Sequence, residues 1–77
     1  MRTIKKGEIY RHFKGHIYQI IAIAKDSEDL KEKIVYQDIN NPDNVWIRDK
    51  EEFLSLVDKN KYPDVVQKER FEKISDN

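Results

Sequence analysis

Residues 8–24, E-I-Y-R-H-F-K-G-H-I-Y-Q-I-I-A-I-A, limit the fold more than any other stretch of this chain. Tyr10, His12, Phe13 and Tyr18 suit a pleated, half-buried surface. Lys14-Gly15 reads as a tight turn, because glycine reaches the positive φ that such a turn needs. The pattern predicts one strand over Glu8–Phe13 and a second over Ile17–Lys25. Side-chain alternation places Ile21 and Ile23 on one face of the second strand, and Tyr18, Ile20, Ala22 and Ala24 on the other. A strand that is apolar on both faces belongs at the centre of a sheet, or in a barrel with a helix packed outside it. Ala22 and Ala24 are small enough for a narrow, strongly curved interior.

The rest of the chain supplies what would cover that hairpin. Residues 1–6 read as a flexible basic arm, and residues 7–75 as one small domain. Asp26–Asp29 is an acidic, turn-forming loop. Lys33–Ile39 (K-I-V-Y-Q-D-I) is a β-branched third strand, Asn40–Asn44 (N-N-P-D-N) a turn, and Val45–Arg48 a short fourth strand. Asp49-Lys-Glu-Glu52 has the look of a helix start, with Asp49 as cap and acids in the first turn, so a helix is expected over residues 49–57. Residues 58–70 are polar and contain Tyr62-Pro63, which predicts an extended excursion before a closing strand at Phe71–Ile74. Short strands with one helix near the end describe a mainly β fold: a small, partly open antiparallel barrel of the SH3-like kind. Its core is expected to hold Ile20, Ala22, Ala24, Val35, Ile47, Phe53 and Val57.

I-Y-R-H-F-K-G at residues 9–15, Y-x-I-x-x-I-A ending at Ala24, V-Y at 35–36, W-I-R at 46–48, F-x-x-x-V over Phe53–Val57 and R-F-E-K-I at 70–74 together resemble the DUF1653 family. The resemblance spans about residues 6–75 and implies short bacterial proteins of unassigned function with an SH3-like barrel. Two departures stand out. Where that family has A-R-H-S-E-T this chain has A-K-D-S-E-D at residues 24–29, and the family's W-V-R-P is W-I-R-D here. With Asp26 and Asp29 in place of histidine and threonine, no role of that loop histidine carries over.

Cysteine is absent, which excludes disulfides and thiolate metal sites. The longest apolar run is Ile20–Ala24, so no signal peptide or membrane span is read and a cytoplasmic protein is expected. Formal charge is zero overall but uneven. Arg2, Lys5, Lys6, Arg11, Lys14 and Lys25 face Glu8 alone in residues 1–25, a net +5, which leaves −5 on residues 26–77. Such a split fits a basic binding face, or two halves that neutralise each other across the fold.

Catalytic chemistry finds little support. His12 and His16 share a strand and a turn, where a spacing of four does not align metal ligands, and Ser27 and Ser55 lack the context of an activated nucleophile. No metal, cofactor or enzymatic activity is therefore expected. The aromatic and basic residues offer more. Tyr10, His12, Tyr36, Trp46 and Arg48 are expected to converge on one side of the barrel as a groove, with Arg11 and Lys14 at its rim. Trp46 and Arg48 alternate along one strand and so share a face, and small barrels bind strands and peptides on such faces. Phe13 and Trp46 also qualify simply as large core residues. The function read from these residues is a binding module for an anionic or aromatic ligand, either a nucleic-acid strand or a peptide. The competing reading is an accessory protein-interaction domain, monomeric or weakly homodimeric through an open barrel edge.

Overall fold

The computed structural model describes residues 3–76. Its elements are β1 (Ile9–His12), β2 (Ile17–Lys25), β3 (Glu32–Asp38), β4 (Val45–Asp49), α1 (Lys50–Phe53) and β5 (Phe71–Ser75). The strands pair antiparallel in one sheet, ordered β4-β3-β2-β1-β5. β4 and β5 are the two edges and do not pair, so the expected mainly β, partly open barrel is the architecture seen. The central β2 is the apolar strand, flanked on both sides as its composition requires.

The hairpin turn sits where Lys14-Gly15 places it. Gly15 has φ +103°, the backbone N–H of Gly15 donates to the His12 carbonyl at 2.7 Å, and that of His12 donates to the His16 carbonyl at 2.8 Å. A Cβ on Gly15 would meet nothing within 4 Å, so conformation rather than space selects glycine there.

One sheet face carries the core. Ile4, Tyr10, Ile20, Ile34, Tyr36, Phe53 and Phe71 form a single buried cluster, with Tyr18, Ile23 and Leu54 packed against it. The Phe53 and Phe71 rings stack with centroids 4.0 Å apart and planes 6° apart, and Tyr10 and Tyr36 meet Phe53 edge-on. This ring cluster fastens α1 and β5 to the inner face of the sheet.

Register accounts for the core residues that differ from expectation. Ile20 pairs with Tyr36, yet Ala22 pairs with Val35 and Ile23 with Ile34, so β2 has one extra residue after Ile20. This bulge turns Ala22 and Ala24 away from the core and brings Ile23 in. On β3 the inward residues are Ile34 and Tyr36, which leaves Val35 half-buried on the outer face. Ile47 lies opposite Val35 on that same outer face and is 65% exposed, so it is not a core residue. Ile20, Phe53 and Val57 are buried as expected.

The helix is shorter than residues 49–57. Asp49 makes no side-chain cap bond, because its carboxylate pairs with Lys33, its register partner on β3. Beyond Phe53 the chain finds better partners than a further helical turn. Leu56 bridges Glu69, the Val57 N–H donates to the Lys68 carbonyl at 2.8 Å, and the Arg70 N–H to the Ser55 carbonyl at 2.9 Å. These bonds close residues 58–67 into a loop. The expected basic arm also changes. Ile4 is 6% exposed within the core and the Gly7 N–H donates to the Ile20 carbonyl at 2.9 Å, so residues 3–6 are anchored. Met1 and Arg2 of that arm lie outside the described residues.

Candidate ligand-binding cleft

The pairing of neighbouring strands decides which side chains can meet. Tyr10 faces Tyr18 across β1–β2, His12 faces Phe71 across β1–β5, and Tyr36 faces Trp46 across β3–β4, with Arg48 two residues further along. Directly opposed residues share a face, so Tyr10, His12, Tyr36, Trp46 and Arg48 all belong to the inner face of the sheet. At its open end that face forms a cleft of about 230 Å³, lined by His12, Lys14, His16, Tyr18, Tyr36, Trp46, Arg48 and Phe71. Five of the seven residues singled out from the sequence are there: His12, Lys14, Tyr36, Trp46 and Arg48.

Tyr10 and Arg11 are elsewhere. Tyr10 is only 2% exposed, and its hydroxyl donates to Glu8 Oε1 at 3.0 Å. Glu8 is buried with it. Burial raises the pKa of that carboxyl, but bonds from the Lys5 N–H, Lys73 and Tyr10 outweigh burial and hold it below the usual value. Arg11 points to the outer face and pairs with Glu72 at 2.7 Å. Conversely, His16 and Phe71 line the cleft without having been picked out from the sequence, and Tyr18, one of the aromatic residues noted there but not placed in the groove, lines it with them. The Tyr10–Tyr18 and His12–Phe71 pairings are the signal for two of them, and only the β5 register places Phe71.

Rings form the floor and one wall. Tyr18 and Tyr36 meet edge-on at 5.1 Å, and Phe71 lies 5.4 Å from Tyr36 and 4.9 Å from His12. Burial, then the neighbouring Tyr36 and Asp38, raise the Tyr18 pKa, so its hydroxyl stays neutral. Trp46 stands on the edge strand, 50% exposed. Arg48 divides the cleft from its neighbour. Its Nε donates to the Tyr36 hydroxyl at 3.3 Å, its guanidinium sits 5.7 Å from the Phe71 ring centre, and Nη1 is 3.8 Å from Glu52.

His12 lies between two clefts. Its ring stacks on Phe13 at 4.4 Å, and Nδ1 accepts the Lys14 N–H at 3.1 Å, which leaves the ring proton on Nε2. Burial first, then the charges of Arg48, Arg70 and Lys14, lower its pKa to about 4. On the far side, Phe13, Tyr62, Lys61 and Arg70 join His12, Lys14 and Arg48 around a second cleft of about 310 Å³. Lys14 and Lys61 both approach the Tyr62 ring, at 5.6 Å and 5.5 Å. Among the described residues, no carboxylate lies within 4 Å of the side-chain nitrogens of Lys14, Lys61 or Arg70. This contrasts with Lys33, Lys50 and Lys73, each of which has an acid partner.

No group of three or more metal-ligating side chains occurs among the described residues, and no helix there is long and apolar enough to cross a membrane. A family model described as a protein of unknown function, DUF1653, matches residues 8–73. No curated protein and no solved structure matches the chain.

Proposed function

This chain belongs to the DUF1653 family, whose function is unknown, and from that premise we propose that it is a binding module whose ring-lined cleft takes an anionic ligand bearing a planar group. A nucleic-acid strand and a peptide are the two ligand classes of that chemistry. One observation carries the reading: a floor and wall of aromatic rings bordered by Lys14 and Arg48, with Arg70 in the adjoining cleft, three cations whose charges add to burial in lowering the His12 pKa. A cationic ligand is disfavoured, because Arg48 already lies over Phe71 and further cations surround the site. Binding is favoured over catalysis because no acid, hydroxyl nucleophile or thiol other than the tyrosine phenols lines this cleft to work with His12.

The test is an NMR shift-perturbation screen with short oligonucleotides, acidic peptides and inorganic anions. Amides of the β1–β2 turn, of Trp46–Arg48 and of Arg70–Phe71 should shift together. Arg48→Lys should weaken binding more than Lys6→Ala, because an ammonium does not reproduce the guanidinium fork. Absence of shifts at these three places with every anion removes the proposal. A second reading, an accessory protein-interaction domain, is favoured by the outer side of edge strand β4, where Val45 and Ile47 are exposed. Light scattering that returns a stable dimer, lost on Ile47→Lys, would move the weight there.

A further inference from the structure

The two clefts differ in chemistry but adjoin one another. They share His12, Lys14 and Arg48. The first adds Tyr18, Tyr36, Trp46 and Phe71, all flat and mostly apolar. The second adds Lys61 and Arg70, with Phe13 and Tyr62 beneath. The acid that lines the second, Asp58, has Oδ1 turned toward the backbone N–H groups of Asn60 and Lys61, at 2.9 Å and 3.3 Å. The site therefore calls for a ligand with a neutral planar part joined to a compact anion.

Building on the reading of the cleft as an anion site, we propose that the pair of clefts holds one nucleotide step of a single-stranded nucleic acid, the base against Trp46 and its phosphate among Lys14, Lys61 and Arg70. Three features of the geometry support this. Trp46 is half exposed on an edge strand, so a ring can reach it without opening the fold. A base paired inside a duplex cannot offer its face to such a ring, so the strand must be single. Lys14 and Lys61 approach one tyrosine ring with no carboxylate paired to their ammonium groups among the described residues, an arrangement of like charges that a phosphate relieves. An acidic peptide places its carboxylates on flexible stems and leaves the ring wall unused. A free anion uses only the second cleft.

The experiment measures anisotropy of a short labelled single strand on the full chain, competed by the same strand as a duplex, by an abasic strand of equal phosphate count and by polyglutamate. The base-bearing strand should bind more tightly than the abasic one by about 5- to 150-fold, the range expected for one base stacked on one side chain. Trp46→Ala should remove that advantage without weakening the abasic strand, and Trp46→Phe should restore most of it. Lys14→Ala with Lys61→Ala should flatten the salt dependence by up to about 0.7 in log–log slope, the contribution of the one phosphate held there. All three substituted side chains are on the surface, and circular dichroism verifies the fold of each variant. If the abasic strand or polyglutamate binds as tightly as the base-bearing strand, the nucleotide assignment is overturned while the anion site stands. If no polyanion binds at low salt, both readings are overturned.

Discussion

Replacing Phe71 by leucine tests whether the ring stack on Phe53 holds the strand that floors the cleft. The two rings lie parallel at 4.0 Å, and both side chains are almost wholly buried. Leucine keeps the apolar character and much of the volume, a change of shape that costs up to about 1.5 kcal/mol. Loss of the ring pair adds about 0.5–1.5 kcal/mol beyond area. Phe71→Leu should therefore destabilise by roughly 1–3 kcal/mol. A chain of 77 residues has a total of roughly 4–12 kcal/mol, so the variant still folds. In urea, with a slope near 1 kcal/mol/M for a chain this small, the midpoint should fall by about 1–3 M, followed by far-ultraviolet circular dichroism. Phe53→Leu alone and together with Phe71→Leu completes a double-mutant cycle. Its coupling energy should be about 0.5–1.5 kcal/mol. A coupling below about 0.3 kcal/mol, the level of independent sites, refutes the argument that this stack joins α1 to β5.

Two further outcomes are expected. His12 has a folded pKa of about 4, below its ordinary 6.5, so the unfolded chain binds more protons between those values and stability falls as pH drops through that window. Discounted for the solvent its ring still meets, the loss is about 1–2 kcal/mol. Urea midpoints at pH 7 and pH 5.5 should differ in that direction and converge in His12→Gln; Glu8, held below its ordinary 4.5, contributes only as pH falls toward 4.5 and beyond. The second outcome concerns strand parity. Ile34→Asp, like Ile20→Asp, should abolish the folded amide NMR spectrum, because an unpaired charge at a fully buried site costs several kcal/mol. Ile47→Asp should leave that spectrum in place and shift the urea midpoint by less than about 1 M.

The strands were legible because their signals are local: alternating β-branched and aromatic residues between Lys14-Gly15, Asp26–Asp29 and Asn40–Asn44. What sequence reading missed depends on pairing. Counting by twos from Ile20 leads to Ala22 and Ala24, and only the extra residue opposite β3 reveals that Ile23 continues the inner row. Asp49 has the form of a helix cap, yet Lys33 across the sheet takes its carboxylate. In the cleft, Trp46 and Arg48 were visible as a same-face pair, and Tyr36 and His12 as their neighbours on consecutive strands. Tyr10 obeys the same parity but lies further into the barrel, where Glu8 takes its hydroxyl. Phe71 contributes from the far end of the chain, and no local pattern reports a contact at that separation.

The bridge between Leu56 and Glu69 has a consequence for how such a chain can diverge. Its flanking bonds, Val57 to Lys68 and Arg70 to Ser55, clamp both stems of the loop outside the main sheet. Whatever lies between the stems adds only closure entropy, about 0.6 kcal/mol for each doubling of length. Lys61 and Tyr62 belong to that insert, whereas Trp46, Tyr36 and Arg48 belong to the sheet. One half of the groove can thus be rewritten, by substitution, lengthening or graft, while the other half and the core keep their sequence. The loop is a replaceable cassette on a fixed frame.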